Sequence, residues 1–263
     1  MRCVFCKTGS DSSVSVEHVI PESLGNTEHV MPQGWVCDKC NNYLSREVEK
    51  PFLDSVYGRL SRFEMRVANK DGRIPPAIGL LPRSRSKVEL FRSAQDGLSL
   101  AAAPGEDETK LVQSLLSRKP GETDRLYVPF SGERGCYETS RFIGKIGLEI
   151  LACRCIDVAG ANDEIVDKSE LDQLRSYVRL GKPGFVWPVH IRRIYPADFS
   201  FPDVASPPFQ VLHEFQILST AESEYYAVIA IFGVEYVINL GGPELDGFQK
   251  WLAQNNGRSP LYS

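Results

Sequence analysis

Two Cys-x-x-Cys pairs constrain this chain more than any other feature. Cys3 and Cys6 form the first pair, Cys37 and Cys40 form the second, and residues 7–36 lie between them. Two such pairs are typical of a tetrahedral four-thiolate zinc site, which stabilises a small fold. Four protein ligands leave no open coordination position, so we expect a structural Zn²⁺ and not a catalytic one. The alternatives for these cysteines are buried free thiols or a redox pair.

The composition of the chain excludes several classes of protein. With 263 residues, of which 42% are hydrophobic, the chain can form one large domain or two ordinary ones. It has no run of 18 apolar residues and no apolar signal segment at its start, so we expect a cytoplasmic protein without membrane contact. Seven cysteines, four of them in the pairs, fit a reducing compartment, and we expect the other three to be small core residues: Cys136, Cys153 and Cys155.

The N-terminal segment has the pattern strand, loop, helix. Alternation of apolar and polar residues over 14–18 indicates a short strand that ends at His18. A helix is expected from about Asn41, with an interruption at Pro51. A second helical stretch, residues 52–63, then carries an apolar stripe.

The rest of the chain is expected to contain both helices and an antiparallel sheet, which gives an α+β fold class. A loop-like stretch, residues 70–86, comes first. Helices are predicted at Leu111–Leu116, Tyr137 to about Cys155, Asp167–Leu180 and Glu244–Gln254. Strands are predicted at Lys87–Phe91 and Leu98–Ala102 as a hairpin, at Leu126–Phe130, and at Phe209–Leu218, Tyr225–Phe232 and Glu235–Leu240 as a meander.

Three parts are expected: a metal-clamped unit at 1–68, a basic linker or hairpin region at 69–125, and a larger α+β domain at 126–263. Because the net charge of the chain is -4, nucleic-acid binding would need a local basic surface. Residues 70–93 carry six basic against two acidic side chains. We expect nucleic-acid contacts from four of the basic ones, although a solvated loop is the alternative: Arg73, Arg83, Arg85 and Lys87.

Glu17 and His18 lie between the two zinc half-sites, and Asn41 directly follows the last cysteine. Closure of the zinc site would fold the strand with Glu17 and His18 onto the helix that carries Asn41 and Ser45 on one face. Glu17 and Asn41 offer oxygen ligands to Mg²⁺ or Mn²⁺, and His18 could accept a proton from a water aimed at a phosphorus atom. The alternatives are a purely structural His18 and an Asn41 that only caps the helix.

Over residues 1–66 the chain resembles the HNH endonucleases of the zinc-stabilised ββα-metal kind. The resemblance rests on Glu17-His18-Val19-Ile20-Pro21 with Leu24-Gly25, flanked by Cys-x-x-Cys and Cys-x-x-Cys-Asn. It implies that His18 is the general base and that Glu17 and Asn41 bind the catalytic Mg²⁺ or Mn²⁺. Ser45 occupies the place of a further metal ligand, and Asn42 competes with Asn41.

The chain departs from this family at one position. The family has an asparagine that orients the base, several residues before the third cysteine, but residues 30–34 contain none. Asn26, His29, Gln33 or a backbone carbonyl are the candidates to replace it. His18 is therefore the assigned base without an assigned partner.

The resemblance implies hydrolysis of DNA phosphodiester bonds, in a bacterial restriction or anti-phage defence system. Residues 126–263 would then choose the target or a partner protein, and double-strand cleavage would need a homodimer or two binding events. RNA is a further candidate substrate. The alternative function is a non-catalytic zinc-ribbon module that binds nucleic acid or protein. His190 and His213 have apolar surroundings in the sequence, and we expect them to be structural.

Overall fold

The computed structural model describes residues 1–69, 71–93, 97–119, 121–128, 136–196, 199 and 212–262. Helices and antiparallel sheets both occur, which confirms the α+β class. The chain forms two compact units, Met1–Phe52 with Glu133–Ser263, and Leu53–Gly132. The three-part division expected from the sequence stays a prediction. None of the described helices is long and apolar enough to cross a membrane.

The first unit begins with two short strands followed by a helix. Strand β1, Glu17–His18, pairs antiparallel with β2, Val30–Met31, and helix α1 follows at Asp38–Leu44. The helical backbone continues through a π-helical turn, Ser45–Glu49, into α2, Lys50–Asp54. A strand followed by a helix agrees with the predicted order, but β1 covers only the last two residues of the strand predicted over 14–18, and β2 was not predicted.

Two predicted boundaries of this helix are wrong. The helix starts at Asp38, not near Asn41, because the Cys37 side chain caps it by accepting a hydrogen bond from a main-chain N–H of the first turn. Pro51 does not interrupt the helix; it is the second residue of α2. The preceding π-helical turn already breaks the i→i−4 bonding pattern, so a residue without an N–H fits directly after it. The backbone leaves the helix at Ser55 instead.

Helix α5, Tyr137–Cys153, packs in the core of the first unit against a four-stranded antiparallel sheet. The order of the strands in the sheet is β6, His190–Arg193; β9, Val234–Asn239; β8, Tyr225–Ile231; and β7, His213–Ser219. Most of α5 is buried, and a Cβ added at Gly147 would lie 3.0 Å from the Cβ of Ala227 on the sheet. The long core helix and the meander predicted from the sequence are confirmed.

The described residues of the first unit contain three further α-helices: α6, Ala161–Asp167; α7, Asp172–Leu180; and α8, Asp246–Gln254. The predicted helix Asp167–Leu180 is too long, because a 3-10 turn at Ser169–Leu171 separates α6 from α7. Strand β6 and helix α6 were not predicted. Residues 209–211 of the predicted strand Phe209–Leu218 lie outside the described residues.

The second unit contains a three-stranded antiparallel sheet with two longer helices. The elements are α3, Val56–Glu64; β3, Ala77–Leu81; β4, Ser86–Arg92; β5, Leu98–Ala102; and α4, Glu108–Leu116. The predicted hairpin corresponds to β4 and β5, and the predicted short helix corresponds to the end of α4. Both predictions are confirmed.

The loop predicted at residues 70–86 is wrong in part, because β3 lies within it. The alternating apolar pattern of this strand was hidden because its inward-facing position 79 is a glycine. A side chain has no room there, since a Cβ at Gly79 would lie 2.8 Å from Cδ1 of Leu126. Leu126–Phe130, predicted as a strand, forms one isolated bridge, from Tyr127 to Leu80, and its residues 129 and 130 lie outside the described part.

Candidate functional site

The four paired cysteines converge at one point. Their Sγ atoms all lie within 4.8 Å of one another, and Sγ of Cys6 is 3.6 Å from Sγ of Cys37. A tetrahedral site with Zn–S bonds of about 2.3 Å has S–S edges of about 3.8 Å, so the spacing suits such an ion. Cys3 and Cys6 lie in a tight turn in which Lys7 adopts a φ of 64°, and Cys37 and Cys40 lie at the start of α1. This cluster could bind zinc.

Hydrogen bonds already organise the cysteine cluster. Sγ of Cys3 accepts from the Cys37 N–H, and Sγ of Cys37 accepts from the Cys40 N–H, both at 3.4 Å. A hydrogen bond from the Cys40 thiol lowers the pKa of Cys3 to about 4, and the same contact raises the pKa of Cys40. Without a cation, the Cys3 thiol is therefore ionised at neutral pH and the Cys40 thiol is not, whereas a bound cation would stabilise both thiolates.

His18 lies at the end of β1, opposite Val30. Its ring is partly buried, and its Nδ1 atom is fully buried without a hydrogen-bond partner among the described residues. Buried polar atoms are normally paired, and such an exception calls for a water, an ion or a substrate group. The backbone carbonyl of His18 accepts a hydrogen bond of 2.9 Å from Lys145 Nζ, which fixes the end of the strand.

Glu17 is almost completely buried and binds the ammonium of Lys145 at 2.5 Å. The same ammonium lies 2.8 Å from Glu49 Oε1 and 3.0 Å from Glu149 Oε2. Lys145 and Glu149 are on the core helix α5, whereas Glu49 ends the π-helical turn. We call these four side chains the Lys145 cluster. It attaches the strand with Glu17 and His18 to the core helix.

Burial and charge determine the ionisation of the Lys145 cluster. Burial opposes the charge of Lys145, but attraction to Glu149, Glu17 and Glu49 raises its pKa well above the usual value. Burial raises the pKa of Glu149 well above its usual value, and burial also raises that of Glu17 against the attraction of Lys145. A charged lysine with a neutral Glu149 reduces the excess negative charge that three ionised carboxylates would give.

Asn41 lies inside α1 and its side-chain Nδ2 donates to the carbonyl of Val16 at 3.2 Å. This bond connects the helix to the residue directly before Glu17. Asn41 is not the helix cap considered from the sequence, because Cys37 takes that position. Ser45 is exposed at the start of the π-helical turn.

A second connection between strand and helix comes from Asp38. Its Oδ1 accepts hydrogen bonds from the N–H groups of Val14 and Ser15 at 3.1 and 2.8 Å, and from the Ser15 hydroxyl at 2.5 Å. The bond from that hydroxyl lowers the pKa of Asp38, so the carboxylate is ionised at neutral pH. Sequence reasoning did not single out this residue.

The candidates for orienting the His18 ring have other partners. Asn26 is buried, and its amide donates to the carbonyls of Ile20 and His29 and accepts from the N–H groups of Glu28 and His29. It therefore organises the loop between β1 and β2.

The other two side-chain candidates, Gln33 and His29, also have contacts of their own. Gln33 Nε2 donates to the Val14 carbonyl. The His29 ring packs edge-on against Phe215, with 4.7 Å between centroids. Neither contact involves His18, so no described contact assigns a partner to its ring.

The four predicted nucleic-acid contacts belong to the second unit. Arg83 forms an ion pair of 3.0 Å with Glu122, Arg85 has a φ of 53° in the turn between β3 and β4, and Lys87 is exposed on β4. Arg73 is exposed before β3.

The other singled-out residues have structural contacts. His213 binds the Leu24 carbonyl through Nε2 at 2.8 Å, and burial lowers its pKa to about 4. His190 packs against the ring of Phe248. The three remaining cysteines, which were expected in the core, are only partly buried: Cys136, Cys153 and Cys155. The thiol of Cys153 donates a hydrogen bond to the sulfur of Met31.

Sequence reasoning did not find Lys145, Glu49 or Glu149. A weak signal existed, since Lys145 and Glu149 are an i, i+4 pair within the apolar part of α5, and buried charges must be paired. That spacing does not say which distant residue they contact.

Comparison with known proteins relates one segment of the chain to a family. The family model described as HNH endonuclease matches residues 3–56. No curated protein and no solved structure matches the chain. The matched segment contains both cysteine pairs, the Glu17-His18 strand and Asn41. The resemblance to the HNH endonucleases is therefore confirmed for residues 3–56, where four clustered cysteines provide a ligand set that could bind zinc.

Proposed function

We propose that this protein is a metal-dependent endonuclease that hydrolyses DNA phosphodiester bonds, with His18 as its general base. The observation that carries the proposal is the buried, unpartnered Nδ1 of His18 next to the buried carboxylate Glu17, within the segment that matches the HNH endonucleases. An imidazole nitrogen without a protein partner can accept a proton from a water molecule. The family match supports nuclease activity in general terms.

The candidate ligands suit a hard divalent cation. Glu17 offers a carboxylate and Asn41 an amide oxygen, which are donors that Mg²⁺ and Mn²⁺ prefer. Such a cation, when bound, would stabilise negative charge on the phosphoryl oxygens and on the leaving 3′ oxygen. Asn41 already donates its Nδ2 to Val16, so its Oδ1 is the atom proposed as the ligand. Ser45 is the further proposed ligand.

The protein residues have separate tasks in this proposal. His18 takes the proton from the attacking water as the O–P bond forms, and so increases the nucleophilicity of that water. Lys145 is a positioning residue: it holds Oε1 of Glu17 and the backbone carbonyl of His18 in one orientation. Oε2 of Glu17 is the oxygen proposed to bind the cation. The cysteine cluster, with Zn²⁺ bound, would join the turn that carries Cys3 and Cys6 to the start of α1.

One observation favours a different function. The ammonium of Lys145 already provides a cation among three carboxylates, and Glu17 is 6% exposed. If that ammonium replaces the divalent ion, residues 3–56 are a non-catalytic zinc-ribbon module that binds nucleic acid or protein.

The number of divalent sites separates the two functions. Mn²⁺ binding is measured by electron paramagnetic resonance on the zinc-loaded full chain, on Asn41→Ala and on Asn42→Ala, which removes the exposed side chain of the competing ligand candidate. The nuclease proposal predicts one Mn²⁺ per chain, lost in Asn41→Ala and retained in Asn42→Ala. A saturating titration without any bound Mn²⁺ would contradict it and favour the zinc-ribbon module.

Several finer parts of the proposal rest on the family resemblance alone. These are a role in restriction or anti-phage defence in the cytoplasm, the choice of target or partner protein by residues 126–263, and DNA rather than RNA as the substrate. One metal site per chain would nick one strand, so a homodimer is proposed for double-strand cleavage. The basic region 69–125 would contact DNA through the four predicted side chains Arg73, Arg83, Arg85 and Lys87.

A further inference from the structure

The second unit contains a cavity of about 750 Å³ whose described lining is strongly basic. The one acidic side chain in this lining is Asp54, and the polar side chains of Asn69 and Ser93 also face it. Five arginines line it: Arg59, Arg62, Arg66, Arg73 and Arg92. Among these, sequence analysis had singled out Arg73 alone. We call this feature the arginine cavity.

Two of the arginines are held by backbone carbonyls. Arg62 is 6% exposed, and its guanidinium donates to the carbonyls of Leu53 at 3.0 Å and Gly58 at 3.4 Å. Arg92 donates to the carbonyl of Glu64 at 3.0 Å. Carbonyls orient a guanidinium without neutralising it, so these cations keep their charge for an outside anion.

The burial of Arg62 makes an anionic ligand favourable. Removal of a cation from water is costly unless a negative charge compensates it, and burial lowers the pKa of Arg62. Arg59 lies 3.8 Å from Asp54, which offers a single carboxylate to a lining with five guanidinium groups. The lining therefore retains an excess of positive charge.

The chemistry of the lining selects phosphate. The planar guanidinium group donates two parallel hydrogen bonds to phosphate oxygens, and several such groups around one cavity are typical of phosphate recognition. A volume of about 750 Å³ is larger than one phosphate ion requires, and cavities of this size hold nucleotide-sized ligands. A backbone with a phosphate at every nucleotide offers several anions to the five cations.

We propose that the arginine cavity binds the phosphodiester backbone of a nucleic acid. The inference rests on the proposed nuclease function for the identity of the macromolecule, and it assigns the contact to a site that includes Arg59, Arg62, Arg66 and Arg92 as well as Arg73. A free nucleotide or inorganic phosphate presents the same chemistry, and the experiment separates these sources.

The test is the binding of a fluorescein-labelled DNA duplex, measured by anisotropy at several salt concentrations without added divalent cation. The full chain carries His18→Ala throughout, so that no cleavage occurs. Arg59→Gln/Arg73→Gln is compared with Lys110→Gln/Lys119→Gln, which removes the same charge from exposed positions of the same unit outside the cavity. Arg62 is left unchanged because it also supports the fold.

Loss of two phosphate contacts should reduce the slope of log K against log salt by about 1.8, because each contact contributes about 0.9. At about 0.1 M salt this corresponds to binding weaker by a factor on the order of 50. The lysine control should keep the slope of the parent protein. Equal slopes and affinities for the two double variants would overturn the proposal.

Inorganic phosphate and a mononucleotide serve as competitors. They should displace the duplex only at concentrations at least about 100 times higher than an unlabelled duplex, because a duplex engages several phosphates at once. Displacement at equal concentration would overturn the assignment to a nucleic acid. Because binding is measured without cleavage, a protein that binds DNA but does not cut it contradicts the nuclease proposal alone.

Discussion

Replacement of Lys145 tests the site most severely among changes that leave the proposed metal ligands in the sequence. It is fully buried, and its ammonium lies 2.5 Å from Glu17, 2.8 Å from Glu49 and 3.0 Å from Glu149. Lys145→Met keeps an unbranched side chain of similar length but removes the charge. Three carboxylates would then share a buried space without their cation.

The cost of this change follows from the carboxylates left behind. Removal of one partner from a buried ion pair costs about 3–5 kcal/mol of stability. Alternatively, a carboxylate left without its partner takes up a proton. For a carboxyl with an ordinary pKa of about 4.3, this costs about 3.7 kcal/mol at pH 7, at 1.36 kcal/mol per pH unit. Because burial already raises the pKa values of Glu149 and Glu17, protonation of either of these carboxyls costs less than this figure. We therefore expect Lys145→Met to lose about 3–5 kcal/mol of unfolding free energy at pH 7.

The assay is urea-induced unfolding of the zinc-loaded protein, followed by tryptophan fluorescence. Lys250→Met, which removes an exposed lysine on α8, is the matched control and should change stability by less than about 0.5 kcal/mol. The penalty of Lys145→Met should shrink as the pH falls to 5, because the folded variant then takes up protons on its buried carboxylates. A loss below about 1 kcal/mol at pH 7 would refute the argument that this ammonium holds the cluster together.

Three further predictions concern the surroundings of the site. The pKa of His213 is lowered to about 4, so below pH 6.5 the unfolded chain binds more protons than the folded one. The free energy of unfolding of the wild type should therefore fall by about 2 kcal/mol from pH 7 to pH 5, relative to His213→Gln. Denaturation at both pH values measures this difference. Cys40→Ser should lower the zinc content per chain, measured by colorimetric release, and should melt the helical signal of residues 38–54 on circular dichroism; unchanged zinc would contradict the four-cysteine site. Asn26→Ala should cost at least about 2 kcal/mol in the same denaturation assay, because it leaves buried backbone groups of the β1–β2 loop unpaired; an unchanged midpoint would refute that role.

Local patterns in the sequence were sufficient for the cysteine cluster and for much of the fold. Spacing alone predicted that Cys3, Cys6, Cys37 and Cys40 would converge, because a metal site requires it. Helix α5 and the β4–β5 hairpin were also predicted, since their apolar patterns have a clear period.

The remaining features depend on contacts between distant residues. Lys145 and Glu17 are far apart in the sequence of the first unit, and no local pattern specifies that they form an ion pair. The π-helical turn that brings Glu49 to Lys145 has no reliable sequence signal, and Pro51 after it suggested a break. Strand β3 was missed because Gly79 occupies an inward position against Leu126.

The arginine cavity illustrates the same limit. The excess of basic residues at 70–93 was visible in the sequence, but Arg59, Arg62 and Arg66 lie on or just after α3, outside that segment. The cavity that collects them depends on tertiary packing.

Single-turnover nicking of supercoiled plasmid DNA tests the central claim most directly. Zinc-loaded protein is assayed with Mg²⁺, with Mn²⁺ and without an added divalent cation, next to His18→Ala and the structural control His190→Gln. The account predicts metal-dependent nicking that falls by about 100-fold or more in His18→Ala, the range expected for loss of a general base, and persists in the control. Cleavage by His18→Ala at the rate of the wild-type protein would contradict the assignment of His18 as the base.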